Sequence, residues 1–198
     1  MVDPDAVDAA LHALAGPRHA RAEAADVVAR ERGLYAFHGS PRAWSDLGLE
    51  PQLDDQPLYV GKAEASLRDR DVGTHFATGR TGSSTVRRSL AALLVDRLDL
   101  VAVPRNLARP DGSASFGLEP RGDLRLSEWM ERHLLLATWI GPGGVLLGEV
   151  ETAVLLRLRP PLNLAKVGEP RVRLKAARAQ MARTARAYPP GAVTSGTC

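Results

Sequence analysis

The chain reads as an α+β protein, with short strands set among helices and helical extensions at both ends. Three observations carry that expectation. Two glycine-flanked apolar snippets, "GLYAF" at 33–37 and "PLYVG" at 57–61, each hold one of only three tyrosines in 198 residues. Two further apolar runs, "DLVAV" at 99–103 and "LLLATWI" at 134–140, have the length of strands. Around all four, apolar residues recur at helical spacing between capping residues.

In chain order, Asp3 followed by Pro4 is an N-cap with proline at the first helical position, and Val7, Leu11 and Leu14 repeat until Gly16-Pro17 stops them. A second helical stretch runs from about Ala20 to Glu31 and ends at Gly33. Residues 1–32 therefore read as an N-terminal helical extension. Between the two tyrosine snippets, 38–56 carries turn formers, acids and no periodicity, as expected of an inserted loop. Ser66 caps a short helix, "LRDRDV", that Gly73 terminates. Ser84 caps a longer one, "TVRRSLAALLVDRL", with Val86, Leu90, Leu93 and Leu94 as its core stripe. A polar stretch and a helix at "SEWMERHL" separate the last two strands, and "GPGG" at 141–144 is a turn. "GEVETAVLLRLRPPLN" is a helix ended by Pro160-Pro161.

The C-terminal segment 166–186 holds seven cations against one acid, so its +6 charge sits on an otherwise acidic chain whose net charge is +3 overall. Residues 166–188 are expected to form a basic helix, and 189–198 a disordered tail. The main domain then spans 33–165. A single cysteine, Cys198, excludes an intrachain disulfide framework and a thiolate metal cluster. The acidic N-terminus is unlike a secretory signal, and the apolar runs are too short to span a bilayer, which points to a cytoplasmic protein without a membrane partner. The oligomeric state is left open.

One carboxylate is out of place. At helical period, Val150, Val154, Leu155 and Leu158 form one broad face, and Glu151 falls in the middle of it. A carboxylate there must raise its pKa, find a cation or hold a metal. A salt bridge is the plain alternative. Asn163 follows a rigid diproline turn, at a fixed position relative to that helix.

Together these residues resemble a known family. "GLY" at 33–35, "YVG" at 59–61 followed by Lys62, Arg70 on the next helix, and Glu151 twelve residues before Asn163 with proline between resemble the GIY-YIG nuclease superfamily, most closely its excinuclease and restriction-enzyme branches. The resemblance spans roughly 33–163. It implies a small three-stranded antiparallel sheet packed with helices, the first two strands carrying the tyrosines. It further implies that Tyr35 is the general base or orients the attacking water, with Tyr59 in support. Arg70 would stabilise phosphorane-like charge, and His75 would assist at the same face. Glu151 would hold one divalent ion, Mg2+ or Mn2+, and Asn163 would fix the local geometry. An unperturbed tyrosine, with a pKa of about 10, is a poor base at neutral pH. Lys62 and Arg70 are the cations nearest in sequence that would depress it.

DNA is the implied partner. Lys62, the helix-start arginines Arg87 and Arg88, and the C-terminal Arg171, Arg173, Lys175 and Arg178 are the candidate contacts to its backbone. The expected function is a metal-dependent DNA endonuclease of repair or restriction type. Two alternatives stand beside it: a catalytically inactive DNA-binding module, and a metal-dependent enzyme acting on a small metabolite in the same fold. A pocket closed by the 38–56 loop would favour the metabolite enzyme; an open basic groove leading to Glu151 would favour the nuclease.

Overall fold

The computed structural model describes residues 3–105 and 115–189. The expected tail at 189–198 lies outside the described residues except for its first position.

The fold is α+β, centred on a three-stranded antiparallel sheet in the order β2-β1-β5. Strand β1 (Gly33–Gly39) is central, between β2 (Tyr59–Ala63) and β5 (Leu134–Ile140). Its register places Tyr35 opposite Gly61 and Thr138, and Phe37 opposite Tyr59 and Leu136. Alternation along the strands then divides the core in two. Leu34, Ala36, Val60 and Trp139 face helices α1 (Pro4–Ala15) and α7 (Leu147–Leu158). Tyr35, Phe37 and Tyr59 face the larger cluster with α5 (Thr85–Leu93), α6 (Pro120–His133) and α8 (Val172–Arg186).

The glycine of "YVG" has a specific task. The Tyr35 ring lies across Gly61, and a Cβ at that position would overlap the Tyr35 hydroxyl and ring. Gly61→Ala is therefore expected to destabilise the fold by about 1–3 kcal/mol, the usual scale of overpacking in a filled core. It would also push Tyr35 off its partner. Urea denaturation of the variant measures the effect; an unchanged midpoint would mean that Tyr35 does not occupy this position.

Capping residues set the helix starts. Asp3 accepts from the Asp5 amide at 3.0 Å, Ser66 from the Asp69 amide at 3.1 Å, and Ser84 from the Arg87 amide at 3.2 Å. The short helix after Ser66 is α4 (Leu67–Arg70), which passes directly into a single π-helical turn, Asp71–His75. Helix α7 ends as Arg159 turns left-handed, at φ 43°, before the diproline.

The structure corrects several expected elements. The 38–56 segment is not all loop: Ser40 caps α3 (Pro41–Leu47), accepting from the Ala43 amide at 3.2 Å with Pro41 at the first position. The second N-terminal helix, α2, is confined to Arg21–Val27. Helix α5 stops at Leu93, and α6 begins seven residues before "SEWMERHL". Strand β3 (Ala102–Pro104) pairs with β4 (Phe116–Leu118) in a separate two-stranded sheet, rather than joining the main one. Helix α8 packs along α5 and over β3 and β4, burying Met181, Ala182 and Ala185 in the larger core.

Candidate active site

Strands β1 and β2 bring the two tyrosines together. Their rings stack with centroids 6.2 Å apart and planes at 30°. They are not equivalent. Tyr35 is 1% exposed and its hydroxyl shares a 2.7 Å hydrogen bond with His75 Nε2; Tyr59 is 8% exposed and lies on the outer strand. His75 is itself fully buried, and its Nδ1 shares a 2.7 Å bond with Ser84 Oγ. Burial, with Arg70 and Arg87 nearby, pushes the His75 imidazole down to about 3. It is neutral at physiological pH, so one ring nitrogen donates and the other accepts. The result is a fixed line, Tyr35–His75–Ser84, running from the sheet to the start of α5.

Neither phenol is poised to ionise. Burial pushes Tyr35 well above the ordinary tyrosine range, Tyr59 and Asp71 add to the rise, and Arg70 opposes it. Tyr59 is raised by burial as well, with Arg70 opposing and Glu151 adding. The expected depression by nearby cations is thus outweighed by desolvation. Among the described residues Arg70, half-buried at the end of α4, is the cation that acts on both rings and on His75.

Glu151 projects from α7 toward the same margin of β2. Its side chain is 13% exposed, and its Oε2 accepts from Lys166 Nζ at 2.7 Å, so the carboxylate on the apolar face has found a lysine. Lys62 on β2 pairs with Glu64 and also lies within range of Glu151. Asn163 completes the margin: its Oδ1 accepts from the Val60 amide at 3.0 Å and its Nδ2 donates to the Val60 carbonyl at 2.7 Å. With Leu162 N donating to Leu58 O at 2.9 Å, this clamps the outer edge of β2 beside Tyr59. Among the described residues no group of three or more His, Cys, Asp or Glu is placed to enclose a metal. One carboxylate suits a magnesium-like ion that keeps most of its waters and takes phosphate oxygens; it does not suit a zinc cage.

A family model of the GIY-YIG catalytic domain matches residues 49–184. The chain belongs to the GIY-YIG catalytic domain family. Neither the comparison with curated proteins nor that with solved structures finds a match. The matched span holds Tyr59, Arg70, Glu151 and Asn163, whereas Tyr35 lies upstream and joins them through the sheet register.

Within this GIY-YIG domain the expected nucleic-acid contacts separate. Arg87 is wholly buried and cannot meet a polyanion. Its guanidinium pairs with Asp123 at 3.0 Å and also donates to Thr81 Oγ1, Ser127 Oγ and the His75 carbonyl. Arg171 donates to the Arg159 carbonyl at 2.8 Å and pairs with Glu169, closing the end of α7. Arg173 donates to the Leu47 and Gly48 carbonyls, closing the end of α3. Both arginines thus hold α8 to the domain. Lys175 is exposed, while Arg88 and Arg178 are half-buried near Tyr59.

Sequence patterns gave no sign of Asp71. It is fully buried in the π-helical turn, and neither carboxylate oxygen has a hydrogen-bond partner. Burial raises its pKa well above the usual carboxylate range against the pull of Arg70. A raised folded pKa means that the unfolded chain loses this proton first. The cost is absent below the unfolded pKa of about 3.8 and grows as pH rises toward the folded value. Asp71→Asn is therefore expected to be more stable than the wild type at neutral pH, the gap closing as pH falls toward 4. The buried His75 and His38, lowered to about 3 and about 4, act with the opposite sign and lose stability below about pH 6.5 in both proteins. Denaturation midpoints at pH 7.5, 5.5 and 4.5 measure the difference.

Proposed function

We propose that this protein is a metal-dependent DNA endonuclease that hydrolyses phosphodiester bonds, of repair or restriction type. One observation supports this most: Tyr59 and Lys62 lie on β2, clamped by Asn163, with Arg70 acting on Tyr59 and Glu151 on both, and Lys62, Arg70 and Glu151 are half-buried, within reach of solvent. In-line attack on a phosphodiester needs an oriented water, positive charge at the non-bridging oxygens and relief for the leaving oxygen.

The difference in exposure supports exchanging the two tyrosine roles that the resemblance implied. Tyr59, the more accessible phenol, accepts a hydrogen bond from the attacking water, and Tyr35 positions it through the stacked rings and the His75 and Ser84 line. Arg70 donates to the phosphoryl oxygens. Glu151, now paired with Lys166, would hold the divalent ion, which would supply Lewis-acid support to the leaving oxygen. Asn163 fixes the Val60 backbone next to Tyr59.

The metabolite alternative would need a pocket roofed by residues 38–56. Those residues instead line a cavity of about 960 Å³ with Arg159, Arg171 and Arg173, away from Tyr59. The hollow beside Lys62 and Arg70, about 450 Å³, contains none of them. Incubation with supercoiled, linear, branched and single-stranded DNA, in Mg2+ or Mn2+ and with chelator, tests the proposal. Cutting that the chelator stops is expected on at least one substrate. DNA binding without cutting in either metal would favour the inactive module, and no binding at all would favour the small substrate.

A further inference from the structure

Helix α8 lies along α5, and Arg178 Nη1 donates to Ser89 Oγ at 3.4 Å, one residue beyond Arg88. Arg88 Nη1 donates to the Gly82 carbonyl at 2.6 Å and its Nη2 to Thr85 Oγ1 at 3.4 Å, while its Nε is buried with no hydrogen-bond partner. Among the described residues neither guanidinium pairs with a carboxylate. The neighbouring Arg87 shows the contrast, because every one of its nitrogens has a partner. Two half-buried guanidiniums side by side repel each other and lose hydration, an arrangement that an anion between them would offset.

We propose that Arg88 on α5 and Arg178 on α8 form a second anion seat beside Tyr59, which takes a non-scissile phosphodiester of the nucleic-acid strand. The inference rests on the endonuclease proposal and adds the direction of the strand, from the Glu151 and Lys62 margin across Tyr59 toward α5. Ser89, the partner of Arg178, donates to the Leu162 carbonyl, and Leu162 N donates to Leu58 O, one residue before Tyr59, which ties the seat to the phenol's strand; burial and the adjacent charges of Arg178 and Arg105 also push the Arg88 guanidinium down to about 10. Arginine suits this seat because its planar fork meets two phosphate oxygens at once. Helix α8 thereby has a ligand-binding role as well as a packing one, although Arg171 and Arg173 are committed to protein carbonyls.

The test is fluorescence anisotropy of a labelled DNA substrate across a salt series. It compares the full-length wild type with Arg88→Gln, Arg178→Gln, and the charge-keeping Arg88→Lys and Arg178→Lys. Each glutamine variant is expected to bind about tenfold more weakly near 0.1 M salt and to lower the slope of log affinity against log salt by about one. The lysine variants, folded and charged, are expected to keep most of the slope while losing affinity. Unchanged affinity and slope in the glutamine variants, with wild type still binding and cutting DNA, would overturn the seat alone. Failure of the wild type to bind DNA would overturn both the seat and the endonuclease. Thermal stabilisation by millimolar inorganic phosphate that the glutamine variants lose, with DNA binding unaffected, would assign the seat to a small phosphate and overturn its nucleic-acid role.

Discussion

Replacing Arg87 with methionine is expected to destabilise the fold by roughly 3–5 kcal/mol, because it strands a buried charge. Asp123 is almost wholly buried and takes its countercharge from Arg87 at 3.0 Å. Its other partners, the Gly79 amide and Thr81 Oγ1, supply hydrogen bonds but no charge. The same substitution frees the His75 carbonyl, the Ser127 hydroxyl and Thr81 Oγ1 from their shared donor. Lysine is not a substitute, since one ammonium cannot reach groups that three guanidinium nitrogens serve. Adding Asp123→Asn to Arg87→Met removes the stranded charge and is expected to recover part of the loss. Chemical denaturation midpoints measure both. A loss below about 1 kcal/mol, the range of exposed ion pairs, would mean that Arg87 is not buried as described.

Glu151→Gln is expected to lower metal-dependent cleavage by at least about a hundredfold while changing DNA affinity less than about threefold. The substitution keeps the shape of the side chain and its acceptor for Lys166, so the β2 margin stays intact. What it removes is a carboxylate charge that a divalent ion at Tyr59 would use. Binding depends on cations meeting phosphates, and no cation is lost. A matched loss of affinity and rate would instead place Glu151 in the fold or the binding surface rather than at the reacting phosphate.

Much of the fold was legible because its signals are local. Asp3-Pro4, Ser66 and Ser84 start helices where capping chemistry says they should, and the diproline at 160–161 follows the end of α7. The tyrosine strands stood out through their glycines, and Gly61 proves to be the seat of the Tyr35 ring. Helix α3 was hidden by the acids and turn formers around Ser40-Pro41, although that pair is itself a helix start. Strands of three residues, such as β3 and β4, carry too little pattern to separate from loop.

The site was less legible, because tertiary packing decides which way a side chain is spent. Arg87 and Arg88 are adjacent in one helix, so about 100° of rotation separates a saturated core arginine from one beside Tyr59. Arg171, Arg173 and Arg178 share one basic segment, yet the first two close helix ends and the third reaches Ser89. The two tyrosines look alike in sequence; only the sheet order, with β1 inside and β2 outside, leaves Tyr59 the less deeply buried of the two. Asp71 carries no distinguishing mark in "LRDRDV", and neither does the π-helical turn that buries it.

The most direct measurement is single-turnover cleavage of a labelled DNA at saturating protein in Mg2+ and Mn2+, comparing wild type, Tyr59→Phe, Tyr35→Phe and Glu151→Gln at equal DNA occupancy. Wild type is expected to cut, Glu151→Gln and Tyr59→Phe to be close to inactive, and Tyr35→Phe to keep more activity than Tyr59→Phe. Cutting by Glu151→Gln at the wild-type rate, or a saturated wild type that leaves the DNA intact in both metals, would contradict an endonuclease site at this margin of β2.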